Sequence, residues 1–225
     1  MQRSAMKIRF LGGAGTVTGS TCRVEHAGRS VRVDCGLFQG DRNLRLRNGA
    51  LLPFDAAALD AVVLTHAHLG HSAALPRLRR QGFRGAVHTR AATIGLCQLR
   101  RPDRGHSQEQ DAAFANRQHS SKHEPALPLC TAPDARDTLP LLAAVPFDPW
   151  HDRLPGLHMK LRPAGHLLGA ASVRLESAGC RVLLSGAIGR PDDPVMRPAA
   201  DIDGADFIVV VESTCGDRLH DPADA

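Results

Sequence analysis

Three histidines follow directly on a short apolar run, and this stretch constrains the fold more than any other. Residues 61–64 are apolar without interruption, which is typical of a strand buried on both faces. His66, His68 and His71 come immediately after it, at the end of that strand. Because alternate residues of an extended chain share a face, the first two imidazoles are able to point at one cation. The spacing therefore predicts a metal site at a strand end.

A further ligand of such a site need not be close in sequence. His166 lies in a glycine-flanked turn after a predicted strand, where a ligand loop would place it. Zinc accepts imidazole nitrogen well and is satisfied by three protein ligands and a water molecule. A single histidine in such a place is more often an ordinary surface or core residue. Three histidines within six residues at a strand end favour the metal interpretation.

Strand patterns occur towards both ends of the chain, with helical patterns between them. Residues 22–36 contain two alternating runs about Gly28, which predict a β-hairpin, and a second hairpin is predicted about Gly179. Residues 91–101 predict a helix, and residues 102–145 predict a polar, basic and helical segment. Strands in two clusters flanked by helices predict a layered α/β sandwich.

The composition restricts the class of protein more than its function. The 225 residues carry a net charge of +5 and have a pI near 9.2, which permits a polyanionic partner. Six scattered cysteines without a C-x-x-C pair are typical of reduced thiols in a cytoplasmic protein. No apolar stretch is typical of a signal peptide or a membrane span, so we expect a cytoplasmic protein without a membrane partner.

Six ordered stretches resemble the metallo-β-lactamase superfamily and, within it, the β-CASP family of RNA-processing nucleases. They follow the family's order and extend from Lys7 to His220. The stretches are FLGGAGTVTGS, VDCGLFQG, LTHAHLGHSAALP, RPAGHLLGAAS, SGAIGRPDDPVMRP and VESTCGDRLH. The resemblance implies an αββα sandwich of the metallo-β-lactamase type, zinc as the cofactor, and RNA as the substrate of a phosphodiester hydrolysis.

The resemblance also implies roles for individual residues. Three histidines match the ligands of the first zinc ion: His66, His68 and His166. His71 matches a ligand of the second zinc ion. Asp34 matches the acidic residue that orients the metal-bound histidines, a role that such carboxylates play in many metal sites. Glu212 matches the acidic residue that the family places near its general acid. Without the resemblance, a strand-end cap or a surface carboxylate would be the better interpretation of Asp34 and Glu212.

Three positions depart from the family pattern, and two of them remove metal-binding carboxylates. Gly70 stands where the family has an aspartate that binds the second zinc, and Ala187 stands where an aspartate bridges both ions. Cys215 replaces a tyrosine. Bridging anions screen the repulsion between two ions that lie about 3.5–4 Å apart in such clusters. We therefore expect one zinc ion, instead of the two of intact relatives, and impaired catalysis.

The resemblance concerns the N-terminal part of a metallo-β-lactamase domain, residues 1–225. We expect the sandwich to be incomplete at the C-terminus, with the β-CASP insert, the closing segment and two later histidines absent. An uncovered sheet edge promotes association, so we expect a homo-oligomer or a complementing chain. Three functions stay open on the sequence alone: a zinc-dependent RNA hydrolase, a pseudoenzyme that acts as an RNA-binding or scaffolding partner, and a non-functional fragment of a split gene.

Overall fold

Two β-sheets form the frame of the computed structural model, which describes residues 5–154, 156–201 and 208–217. Within these residues the first sheet has six strands: β1 (Lys7–Gly12), β2 (Thr21–His26), β3 (Arg29–Val33), β4 (Ala61–Val63), β5 (Ala86–Thr89) and β6 (Leu142–Ala144). The second has five: β7 (His151–Leu154), β8 (Leu157–Pro163), β9 (Ala171–Ser177), β10 (Cys180–Leu184) and β11 (Ile208–Val210). Strands β1 to β3 are antiparallel and β3 to β6 parallel, whereas in the second sheet only β11 pairs in parallel, with β10.

The described residues also contain five α-helices: α1 (Arg42–Leu46), α2 (Leu69–Ser72), α3 (Leu75–Arg80), α4 (Ala91–Arg117) and α5 (Ala132–Asp137). Short 3₁₀ turns cover Arg47–Gly49, Ala56–Ala58 and Leu139–Leu141. Thr131 caps α5 in a capping box, because its hydroxyl accepts from the Asp134 amide while the Asp134 carboxylate accepts from the Thr131 amide.

The two sheets pack face to face, and the side chains of β4 show how the layers are built. Ala61 and Val63 belong to the core between the sheets, together with apolar side chains of β8, β9 and β10. Val62 points the other way, into a second core with Leu75 and Leu78 of α3. The prediction that this strand is buried on both faces is confirmed.

Helices α3 and α4 cover the outer face of the first sheet, so the described residues form helix, sheet and sheet layers. The predicted α/β sandwich and both predicted hairpins are confirmed. The described part of the chain beyond β7 contains no helix. No helix within the described ranges combines the length and the apolar character needed to cross a membrane.

The segment between the two sheets differs from the sequence prediction. Helix α4 does not end before Pro102. It is 27 residues long and continues through this proline. The predicted helical segment 102–145 instead contains the rest of α4, the short α5 and the strand β6, and the strand β7 follows it. Strands of three and four residues are too short for a period-two pattern to stand out, which is why β6 and β7 were missed.

Candidate metal centre

Loops at one end of the two sheets carry the candidate metal ligands. After β4 the chain continues in extended form to His68, which precedes the first residue of α2, so His66 and His68 lie on one side. His71 lies within α2. His166 follows β8 in a turn in which Gly165 has a φ of +70°. Asp34 follows β3 and has a φ of +62°, a backbone conformation that residues other than glycine rarely adopt.

Close backbone contacts hold the loop after β3 against the histidine loop. The amide of Cys35 donates to the His71 carbonyl over 2.6 Å, and the amide of Leu37 donates to the Leu69 carbonyl over 3.1 Å. A Cβ atom on Gly36 would lie 1.6 Å from the carbonyl oxygen of Gly70. A glycine is therefore required at position 36, because only a residue without a side chain permits this approach.

Three imidazole nitrogens meet at one point. Nδ1 of His68 lies 3.1 Å from Nε2 of His66 and 3.1 Å from Nε2 of His166. One ring nitrogen of each histidine lies within 4.8 Å of those of the other two. Nitrogen ligands of a tetrahedral ion, each about 2.0–2.1 Å from it, lie roughly 3.3 Å apart. The three side chains therefore fit a metal ion bound by three histidines.

Burial keeps these imidazoles in the neutral form that binds metals. Burial, with repulsion from the neighbouring histidines, lowers the pKa of His66 to about 2. Burial also lowers the pKa of His68 and of His166, and the neighbouring basic side chains add to this effect. Neutral imidazoles have a free lone pair, so the cluster is prepared for a cation without first losing protons.

Asp34 and Thr65 fix the tautomer of His66. The Thr65 hydroxyl lies 2.9 Å from both carboxylate oxygens of Asp34 and 2.9 Å from Nδ1 of His66. Because the hydroxyl donates its one hydrogen to the carboxylate, it accepts from Nδ1–H of His66. The lone pair of His66 then lies on Nε2, the nitrogen that faces the cluster.

Asp34 also holds His71. Its Oδ2 lies 2.6 Å from Nδ1 of His71, and its Oδ1 accepts from the Thr65 amide over 2.8 Å. Burial disfavours the charged imidazole of His71, but the charge and hydrogen bond of Asp34, helped by Glu212, outweigh burial and raise its pKa. The ring centroids of His71 and His66 lie 4.1 Å apart. His71, the predicted ligand of a second ion, is therefore adjacent to the three-histidine cluster.

Among the described residues beside His71, positions 70 and 187 supply no carboxylate. Gly70 and Ala187 line the same cavity as the histidines and offer no ligand atom. Glu212 also lines it, and its carboxylate accepts from the amides of Ile188 and Thr214 over 3.2 and 2.8 Å. Burial opposes ionisation of Glu212, but these amides, Thr214 first, outweigh it and lower the pKa. Cys215 is exposed at the rim.

The cavity over the cluster has a volume of about 560 Å³. Two exposed guanidinium groups, Arg100 of α4 and Arg190 of the loop after β10, line it. Asp193 lines it as well, and its carboxylate accepts from the amides of Val195 and Met196. The cavity therefore combines the histidine cluster with two guanidinium groups and with the carboxylates of Asp193 and Glu212.

Comparison with known proteins identifies the fold family. The family model described as "Metallo-beta-lactamase superfamily" matches residues 15–213, most of the chain. The chain belongs to the metallo-β-lactamase superfamily. Members of this superfamily bind metal ions, in keeping with the histidine cluster.

Two curated relatives are named as ribonucleases. Ribonuclease TTHA0252 of Thermus thermophilus is 34% identical over 96% of this chain and 46% of its own length. Endoribonuclease YSH1 of Saccharomyces cerevisiae is 28% identical over 97% of this chain and 27% of its own length. The chain thus spans about half the length, or less, of the curated relatives that it matches. Among solved structures, the metallo-beta-lactamase fold protein YhfI from Bacillus subtilis matches 80% of this chain and 61% of its own, with 16% identity and a TM-score of 0.49.

The structure brings together all the residues that the sequence singled out. His66, His68 and His166 form one cluster, His71 and Asp34 are paired beside it, and Glu212 lines the same cavity. That they bind zinc or take part in a reaction stays a prediction. Sequence reasoning missed Thr65 and Arg190, and it considered the basic run with Arg100 only as a weak candidate for phosphate contact. The position of Thr65 immediately before His66 was a usable signal, whereas nothing in the sequence connects Arg100 with the cluster.

Proposed function

We propose that this chain is a β-CASP homologue of metallo-β-lactamase-fold RNA hydrolases that holds one zinc ion and is impaired in cleavage. One observation carries the proposal: three neutral imidazole nitrogens converge, while the adjacent positions are occupied by Gly70 and Ala187. When bound, a zinc ion supplies Lewis acidity and activates water as a nucleophile. His66, His68 and His166 would hold it, with Thr65 and Asp34 orienting the first of them.

Electrostatics supports the restriction to one ion. Two divalent ions about 3.5–4 Å apart repel strongly, and carboxylates at the bridging position normally offset this repulsion. His71 supplies one imidazole beside the cluster, and its Nδ1 is already engaged by Asp34. The one remaining imidazole nitrogen of His71 does not offset the repulsion that a neighbouring dication exerts on a second ion. Without the second ion and its carboxylates, both the orientation of the attacking water and part of the charge stabilisation are lost.

The relatives and the electrostatics of the cavity support RNA as the ligand. The curated relatives are named ribonuclease and endoribonuclease. Arg100 and Arg190 place two positive charges at the rim of the cavity over the histidine cluster. These arginines also favour a second candidate function, an RNA-binding pseudoenzyme, because their contact with RNA would not need the carboxylates that are lost at positions 70 and 187.

Binding of single-stranded RNA tests the ligand assignment. We expect Arg100→Gln combined with Arg190→Gln to weaken binding of a single-stranded RNA oligonucleotide roughly tenfold or more, since charged contacts to phosphate are lost. Fluorescence anisotropy at fixed salt measures the affinity. The control for charge is Arg42→Gln combined with Arg136→Gln, which removes two exposed arginines of α1 and α5 outside the cavity. Equal affinity of the wild type and the double variant would remove RNA from the proposal.

Thr65 should matter for metal affinity through the tautomer of His66. We expect Thr65→Val to weaken zinc binding about 10–100-fold, the usual effect of losing a partner of a metal ligand. The valine has a similar shape but cannot accept from Nδ1–H of His66. Thr65→Ser keeps the hydroxyl and should retain near wild-type affinity. Competition with a chelating dye measures the dissociation constants. If the valine and serine variants bind zinc equally well, the hydroxyl has no such role.

A further inference from the structure

A second cavity, on the helix side of the first sheet, is lined by three arginines. It has a volume of about 280 Å³ and lies between β3, the segment after it and α3. Arg32 of β3, Arg47 of the 3₁₀ turn after α1, and Arg77 of α3 line it. Val31 and Val33, the sequence neighbours of Arg32, belong to the core between the sheets, so the Arg32 side chain points away from that core. We refer to this site as the three-arginine cavity.

Within the described part of the chain, no carboxylate in the cavity compensates the three positive charges. Among the described residues that line it, none is an aspartate or a glutamate. Asp34 lies two residues beyond Arg32 and accepts from its Nε through the backbone carbonyl over 3.1 Å. The carboxylate of Asp34 instead accepts from Thr65 and lies against His71. Burial lowers the pKa of Arg77, and repulsion from Arg32 and Arg80 adds to this effect.

The guanidinium groups are held in place but retain many free donors. Arg32 is 5% exposed and donates from Nε to Asp34 and from Nη2 to the Thr21 hydroxyl over 3.0 Å. Arg47 donates to the Leu11 carbonyl over 3.3 Å, and Arg77 donates to the Ala50 carbonyl. Each guanidinium has five N–H groups, and one or two of them are used in these contacts. The remaining donors are available to a ligand in the cavity.

The walls suit a nucleotide as well as its phosphate. The Arg47 guanidinium lies 4.0 Å from the centroid of the Phe38 ring, which fixes its plane. Leu51, which is 88% exposed, and Pro53 form an apolar edge of the same cavity. Planar guanidinium groups bind phosphate through paired N–H donors, and their faces also stack on bases.

We propose that the three-arginine cavity is a phosphate-binding site, separate from the metal centre, that takes a backbone phosphate of single-stranded RNA. Phosphate is inferred as the ligand because three guanidinium groups line the cavity and no lining carboxylate is found among the described residues. The choice of RNA as the source of the phosphate rests on the proposed function.

The experiment uses metal-free protein, so that its outcome does not depend on zinc or on cleavage. Inorganic phosphate is titrated while the Nε–Hε signals of the arginines are followed by NMR. We expect the signals of Arg32, Arg47 and Arg77 to shift and to saturate together. Arg47→Gln and Arg77→Gln should each weaken phosphate binding roughly tenfold. Arg42→Gln, an exposed arginine of α1 outside the cavity, removes the same charge and should have little effect.

Two results would overturn the phosphate site. One is the absence of saturable shifts for the three arginines, and the other is an equal loss of affinity in Arg42→Gln, which would indicate unspecific attraction. A single-stranded RNA oligonucleotide is then added to the phosphate-bound protein. If it displaces phosphate from the three arginines, RNA as the source is supported. If phosphate binds and RNA does not displace it, the assignment to RNA is overturned while the site for free phosphate stands.

Discussion

Titration of the metal-free chain with zinc should saturate at one equivalent, and His166→Ala should strongly weaken this binding. The ion needs all three imidazoles, since Nε2 of His166 lies 3.1 Å from Nδ1 of His68 and completes the cluster. Loss of a direct ligand should weaken binding by more than about 100-fold, because loss of an outer partner alone costs about 10–100-fold. Metal analysis after equilibrium dialysis gives the stoichiometry, and chelator competition gives the affinity.

His123→Ala is a suitable control for this experiment. His123 is exposed in the loop after α4, far along the chain from the cluster residues, and its backbone amide donates to the Ser121 hydroxyl. The control variant should bind zinc as the wild type does. Two tightly bound equivalents, or undiminished binding by His166→Ala, would show that the ion is held elsewhere.

Restoring the two carboxylates should create a second metal site. We expect Gly70→Asp combined with Ala187→Asp to raise the stoichiometry from one to two zinc ions. Space is available at position 70, because an added Cβ would meet its nearest neighbour, Cα of Thr18, at an ordinary 3.7 Å. His71 already lies beside the cluster and would complete the new site. Two added negative charges would also reduce the repulsion between the ions.

The matched control is Gly70→Asn combined with Ala187→Asn, because asparagine has nearly the same shape as aspartate but no charge. This control should leave the stoichiometry at one. Metal analysis on the wild type and the two double variants, with thermal unfolding to check that each is folded, separates charge from shape. A double aspartate variant that still binds a single ion would mean that something other than the missing carboxylates excludes the second.

The sequence was sufficient for the local parts of the site, and insufficient where distant segments meet. His66 and His68 are linked by the alternation of a strand end, so one apolar run and two residues predict their common direction. His166 is 98 residues from His68; its glycine-flanked turn made it a candidate ligand, and the ordered resemblance assigned both residues to the same ion. The relay from Asp34 through Thr65 to His66 depends on the parallel pairing of β3 with β4, which no local pattern encodes.

Elements of the fold with a local sequence signal were predicted, and those that depend on tertiary packing were not. Hairpins about Gly28 and Gly179 are signalled by short alternating runs around one turn, and the structure contains both. The helix predicted over residues 91–101 instead continues through Pro102 as α4, which packs against α5, and such tertiary packing overrides local preference. Gly105 of α4 is in close contact with the start of α5, since a Cβ atom added to Gly105 would lie 2.6 Å from the Ala132 amide nitrogen. The three arginines of the second cavity come from separate elements, so the periodicity of the sequence does not predict that they lie together.

Cleavage of single-stranded RNA by the unmodified chain in the presence of zinc is the most direct measurement of impaired one-metal catalysis. A labelled oligonucleotide is incubated with the purified chain and with a matched His66→Ala, His68→Ala variant, which lacks two of the three predicted ligands. We expect the two proteins to give the same background, because the carboxylates of the second site are absent at Gly70 and Ala187. Zinc-dependent cleavage by the unmodified chain that His166→Ala abolishes would contradict this account and establish a one-zinc hydrolase.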